Sequence, residues 1–214
     1  MAKKATRQRA TSITNFLNMT FEVIEFTGEW LLAFGRPEKG GIWYVGGRPT
    51  NGKTSFVVQL IKALALLGLR VRFYNFEEQE SITMQNTIRM VGLAEVARNI
   101  VMINSLIDYK ELKAEIGSTR NDVIVIDTIQ KSGITAKQVE ELRELFPSKL
   151  IIFVCHVQPN GLPDKQPANQ AYREASLKIF CDRFRAISQG RYFGERGYFN
   201  IWKEKADEFW AVVE

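Results

Sequence analysis

Gly41-Ile42-Trp43-Tyr44-Val45-Gly46-Gly47-Arg48-Pro49-Thr50-Asn51-Gly52-Lys53-Thr54-Ser55 is the stretch that decides the fold of this 214-residue chain. Residues 42–46 form an apolar run that reads as a buried strand. The strand enters a loop of the pattern GxxxxGK[ST], with Gly47, Gly52, Lys53 and Thr54 in the fixed positions. The run from Phe56 to Leu69 is apolar with Gln59 and Lys62 interleaved, which predicts a helix over 53–68. Strand, loop, then helix is the context in which the pattern becomes a phosphate-binding loop. Glycines let backbone N–H groups curl around phosphate oxygens, and the helix N-terminus adds partial positive charge. Gly47, Arg48, Pro49, Thr50, Asn51, Gly52, Lys53, Thr54 and Ser55 are therefore the nucleotide-binding candidates. In this motif Lys53 reaches the β- and γ-phosphates and the Thr54 hydroxyl suits Mg²⁺, so ATP and Mg²⁺ are the expected ligands.

Outward from this loop, short apolar runs alternate with helical ones. Strands are predicted at 70–76, near 99–103, at 122–127 and at 149–155, and helices at 79–91, 108–116, 136–146 and 171–181. The alternation predicts an α/β fold, a twisted and mostly parallel sheet covered by helices on both faces. Residues 182–213 read as a C-terminal antiparallel extension, with Tyr198-Phe199-Asn200-Ile201-Trp202 as one of its strands. Residues 1–15 read as a basic flexible tail, solvated or touching phosphate, and residues 16–214 as a single domain that begins with a short lead-in over 16–40.

Bulk composition agrees with one ordinary globular domain, at 45% hydrophobic and 25% charged residues. The net charge of +5 mildly favours a polyanionic partner. Neither cysteine, Cys155 nor Cys181, lies in a CxxC, which rules out a zinc ribbon, and two thiols without a secretory signal fit a reducing cytoplasm. No stretch reaches the ~18 uninterrupted apolar residues of a membrane helix.

Hydrolysis needs a metal-holding carboxylate and a group that orients water. Val123-Ile124-Val125-Ile126-Asp127 ends a strand in a carboxylate, which places Asp127 to hold Mg²⁺ together with Thr54. Thr128, not Glu, follows it, so the water-orienting acid must come from elsewhere. Glu77 and Glu78 follow the second strand at the sheet edge where open α/β folds bind ligands. Either can polarise water, or the pair can simply open the next helix. His156, the chain's one histidine, follows the strand at 149–155, placed either for structure or to sense the γ-phosphate.

Together these residues resemble the RecA-like ATPases, in the branch of the bacterial RadA/Sms proteins and the DnaB-type replicative helicases. The resemblance runs from about residue 26 to 205. Gly46–Ser55 resembles the family's P-loop, and Phe73-Tyr74-Asn75-Phe76-Glu77-Glu78 its strand ending in the catalytic Glu, which lands on Glu77. Ile126-Asp127-Thr128-Ile129-Gln130 is similar to its Walker B segment, and Cys155–Gly161 to its sensor turn around His156. Trp202-Lys203-Glu204-Lys205 falls where the family carries a Lys-x-Arg element that contacts nucleotide on a neighbouring subunit, with Lys205 in place of Arg.

The resemblance implies a bare motor core, without the family's accessory domains, that works as a ring or filament, with a hexamer as one form. Lys203, Lys205, Arg183, Arg185, Arg191 and Arg196 are the candidates for acting in trans. In such proteins, loops like 130–136 and 157–170 touch single-stranded DNA, which makes Lys131, Lys165 and Arg173 the DNA-binding candidates. Residues 165–205 hold nine Lys or Arg against four acids, interleaved with aromatics. This composition suits bases and phosphates, or a core with solvated cations. An ATPase motor acting on DNA, of helicase, recombination or repair type, is the first reading; a nucleotide-gated regulatory module with little turnover is the alternative.

Overall fold

A computed structural model describes residues 10–211. Lys3, Lys4, Arg7 and Arg9 of the expected tail lie outside the described residues. The elements in chain order are α1 (Ile13–Leu17), α2 (Gly28–Phe34), β1 (Gly41–Gly47), α3 (Lys53–Leu66), β2 (Val71–Asn75), α4 (Ile82–Val91), a 3₁₀ segment (Leu93–Asn99), β3 (Ile100–Ile103), α5 (Tyr109–Ser118), β4 (Val123–Asp127), α6 (Ala136–Leu145), β5 (Leu150–His156), α7 (Gln166–Glu174), β6 (Leu177–Asp182), β7 (Arg185–Gly190), β8 (Tyr198–Asn200) and α8 (Lys203–Trp210).

The eight strands form one sheet in the order β3-β2-β4-β5-β1-β6-β7-β8. The first six run parallel, and β7 and β8 add an antiparallel edge. The central strands are apolar at nearly every position because helices cover both faces. Successive side chains of a strand point to opposite faces, and the buried residues sort accordingly. Trwo layers result: Trp43, Val45, Phe73, Val125, Ile152 and Val154 pack with Phe56, Leu60, Ile61 and Leu64 of α3. On the other face Tyr44, Tyr74, Ile124, Ile126 and Phe153 pack with Leu112 and Ile116 of α5, Val139 and Leu142 of α6, and Ala168 and Ala171 of α7. Burying such a side chain stabilises the fold by about 1.5–3 kcal/mol each. All six parallel strands thus end at one edge, where the loops after β1, β2, β4 and β5 meet.

Three expectations change. The helix expected over 171–181 is the end of α7 followed by β6, which lies parallel to β1. The helix stops because Ala175 turns extended, and Leu177, Ile179 and Cys181 then alternate with half-exposed Lys178, Phe180 and Asp182. That alternation is a strand's period of two, not a helix's. The C-terminal extension is not strand throughout, since Lys203–Trp210 is α8. Glu77 and Glu78 do not open a helix: α4 begins only at Ile82, where the Ser81 side chain caps the Met84 N–H. Smaller shifts of one to three residues occur at other ends, and His156 is the last residue of β5, not the residue after it.

Candidate nucleotide site

The P-loop occupies the gap between β1 and α3. Gly52 has φ +83° and Thr50 φ +66°, so the chain turns through left-handed backbone twice before α3 starts at Lys53. Gly47 is required by close approach, since a Cβ there would meet the Cys181 carbonyl oxygen of β6 at 2.7 Å. Residues 48–50 and 52–55 line a cleft of about 1090 Å³, and Glu77, Glu78 and His156 line it too.

Lys53 is buried, with only 7% of its surface exposed. Its Nζ lies 3.1 Å from His156 Nδ1, and His156 Nε2 lies 3.1 Å from Glu77 Oε1. An ammonium only donates, so Nδ1 is the acceptor and the ring donates from Nε2 to the carboxylate. Lys53, His156 and Glu77 therefore form one chain of hydrogen bonds. Burial raises the Glu77 carboxyl, but the hydrogen bond from His156 and the charges of Lys53 and Lys131 outweigh it and hold Glu77 below the usual carboxylate range.

Asp127 ends β4, in register with Asn75 of β2 and Val154 of β5. It is 2% exposed, and its Oδ1 has no hydrogen-bond partner among the described residues. Burial pushes its carboxyl up to about 7, Glu77 adds to the rise, and Lys53 opposes it. A buried carboxylate oxygen without a donor is the kind of group a divalent cation satisfies. With the Thr54 hydroxyl on the cleft wall, the residues present fit Mg²⁺.

The turn after β2 is pinned to the end of β4, because the Phe76 and Glu77 N–H groups both donate to the Asp127 carbonyl, at 2.6 and 3.0 Å. Asn75, fully buried, donates to the Gln79 carbonyl at 2.8 Å and accepts from the Glu78 N–H at 3.3 Å. This geometry separates the two acids. Glu77 faces His156, while Glu78 accepts from the Thr83 hydroxyl at 3.0 Å.

The opposite wall holds residues that sequence reading did not assign to the site. Phe184 and Trp202 stand edge to face with centroids 6.0 Å apart, and Ile201 lies beside Gly52. Arg183 and Phe184 form the two-residue turn between β6 and β7 with φ +43° and +62°, a left-handed pair usually left to Asn and Gly. The turn is held where it is by the Arg183 N–H on Asn51 Oδ1 and by the Trp210 indole on the Arg183 carbonyl. The sequence carried a faint signal for this wall, a bulky dipeptide at a hairpin turn.

The trans-acting candidates are dispersed. Arg185 is held within its own chain, between the rings of Tyr198 and Trp210 and bonded to Asn200. Arg196 pairs with Glu29, Lys203 with Asp207 and Lys205 with Glu208. Arg183 is exposed, and Lys203 lines the cleft of its own chain. The DNA-binding candidates do not share one surface either. Lys131 donates back to the Glu77 carbonyl at 3.3 Å, and Lys165 is exposed at the start of α7. Arg173 and Arg191 line a second cleft beside the beginning of β1, at the far edge of the sheet. Among the described residues no helix is long and apolar enough to cross a membrane.

The same fold is found in solved structures. The flagellar accessory protein FlaH of Methanocaldococcus jannaschii superposes with a TM-score of 0.56 at 14% identity, over 84% of this chain and 92% of its own. A KaiC-like protein of Pyrococcus horikoshii gives 0.61 at 15% identity, over 84% and 99%. The fold is that of a RecA-like ATPase core. In sequence, the chain is similar to the DNA repair protein RadA of Helicobacter pylori, 30% identical over 113 residues, 51% of this chain. The similarity spans 24% of that protein's length. No family model matches the chain.

Proposed function

We propose that this chain is an Mg²⁺-dependent ATPase that acts on DNA, the motor core of a helicase, recombination or repair activity. The observation that carries the reading is the convergence of Lys53, His156, Glu77 and the unpartnered Asp127 carboxylate behind one P-loop. The backbone N–H groups of the loop bind phosphate oxygens, and Lys53 turns from His156 to the γ-phosphate. Glu77, kept ionised, accepts a hydrogen bond from water and orients it for attack. Thr54 and Asp127 would hold Mg²⁺, which would supply neutralisation of the charge that develops on the phosphate. Phe184 and Trp202 offer the base an aromatic wall. Replacing Trp202 by Ala is expected to raise the KM for ATP about tenfold with kcat retained, as loss of a stacking contact does; an unchanged KM would remove the base from this wall.

The similarity to a DNA repair protein and the cationic, aromatic 165–205 stretch support single-stranded DNA as partner. The exposed Arg183, which has no ion pair among the described residues, supports completion of the site by a neighbouring copy, in a ring or filament such as a hexamer, and the two buried free cysteines are compatible with a cytoplasmic setting. Steady-state hydrolysis with and without a single-stranded oligodeoxynucleotide tests the reading. Stimulation of several-fold at about 50 mM salt, lost near about 500 mM, is expected, because phosphate contacts weaken steeply with salt. A rate indifferent to DNA would leave the nucleotide-gated module as the better reading.

A further inference from the structure

Gln130 lies three residues beyond β4 and bonds to Thr128, His156 and Asp164. Its Oε1 accepts from the Thr128 hydroxyl at 2.6 Å and from the His156 N–H at 3.2 Å. Its Nε2 donates to the His156 carbonyl at 3.2 Å and to the Asp164 carbonyl at 3.0 Å. A primary amide has two donor hydrogens and two acceptor lone pairs, so all four are in use.

The pattern continues the sheet by other means. The β4–β5 ladder ends with Asp127 opposite Val154, and the Ile129 N–H still reaches the Val154 carbonyl at 3.0 Å. Beyond that point main chain no longer flanks β5 on this side. The Gln130 amide supplies the C=O and N–H that a further strand residue would offer to His156. The His156 carbonyl also accepts from the Asp164 N–H at 3.1 Å. The same loop, 157–165, is held from its other side by the Arg48 guanidinium of the P-loop on the Pro159 carbonyl.

We propose that Gln130 is the positioning residue that sets His156 between Lys53 and Glu77 and ties loop 157–165 to the phosphate site, an assignment whose kinetic consequence rests on the ATPase reading above. The main-chain hold on His156 fixes where its ring begins, and the bond to Asp164 makes the loop share that constraint. Loss of the amide releases ring and loop together.

Two variants test this, Gln130→Leu, which removes all four bonds, and Gln130→Glu, which keeps acceptors for Thr128 and His156 and loses both donations. Amide hydrogen exchange of loop 157–165 is read in the protein without nucleotide. Exchange at the Asp164 and Gly161 amides is expected to rise about tenfold or more in Gln130→Leu, with β1 unchanged. Gln130→Glu falls between, and carries the test if the Leu variant does not fold. In hydrolysis, kcat is expected to fall ~10–100-fold with KM within about threefold, since misplacement near the reacting atoms costs rate more than binding. Exchange at wild-type levels in the folded variants, or a loss confined to KM, overturns the proposal. If the wild-type protein does not hydrolyse ATP, the ATPase reading falls, and the exchange result still decides whether Gln130 holds the loop.

Discussion

Glu77→Gln is expected to lower kcat for ATP hydrolysis by about 10³-fold and to leave ATP affinity within a few-fold, the signature of losing a group that acts on water and not on phosphate. Glu77 lies at the end of the Lys53–His156–Glu77 chain, and its carboxyl is held low by the His156 hydrogen bond and nearby cations against the pull of burial. A carboxylate held low is a poor proton sink. It is a good acceptor, and its proposed contribution is to fix the water's orientation in line with the leaving oxygen, where phosphoryl transfer gains most of its rate. Gln has nearly the same shape but an uncharged, weaker acceptor, and half of its amide donates where the water must donate. Lys53→Ala is expected to lose nucleotide binding as well as turnover, because in the proposed reading Lys53 contacts the phosphates themselves. Equilibrium binding of a fluorescent ATP analogue beside steady-state turnover separates the two. Should Glu78→Gln lose the rate while Glu77→Gln keeps it, the assignment passes to Glu78, despite its bond to Thr83.

The legible part of this molecule was the part written in local pattern. The P-loop declares itself because Gly47, Gly52, Lys53 and Thr54 must recur at fixed spacing, and β4 and β5 declare themselves because strands buried on both faces have little but Val, Ile, Leu and Phe to offer. Asp127 and the Glu77-Glu78 pair followed from their place at strand ends. The resemblance alone pointed to Glu77 over Glu78; the physical separation of the two comes from the turn that Asn75 builds, a tertiary arrangement with no sequence period. The misreading at 171–181 has a physical reason: the alternating run Leu177–Asp182 follows α7 with no Gly or Pro between them, and only the extended Ala175 separates the two. The aromatic wall and the Gln130 clamp join residues 132 to 149 and 26 to 34 positions apart in sequence, such as Gly52 with Phe184 and Ile201, and Gln130 with His156 and Asp164. Contacts of that range depend on how the sheet is ordered, which alternation alone leaves open.

Asp127→Asn is expected to gain stability and lose function at once. In the wild-type protein a 2%-exposed carboxylate keeps one oxygen without a donor, and burial penalises its charge enough to push it up to about 7. An amide of the same shape carries no charge to desolvate, so at neutral pH the variant is expected to unfold later, by about 1–2 kcal/mol, or roughly 2–8 °C in Tm for a domain of this size. The same change removes the charge that would hold Mg²⁺ with Thr54, and Mg²⁺-dependent turnover falls by ~10² or more. Thermal melts with and without Mg²⁺ and a non-hydrolysable ATP analogue make the two effects visible in one experiment. The wild-type protein melts lower alone and gains on adding both ligands, by about 2.7 kcal/mol at a hundredfold excess over Kd. The Asn variant melts higher alone and gains less from Mg²⁺. A variant that is less stable than wild type without ligand would mean that the buried Asp127 carboxylate contributes more to the fold than its desolvation costs. A variant that is more stable and still Mg²⁺-responsive would move the metal away from Asp127. The expected crossing, higher without ligand and lower with it, is what a site that holds an uncompensated charge for a cation must show, because the energy that destabilises the empty fold is the energy the cation recovers.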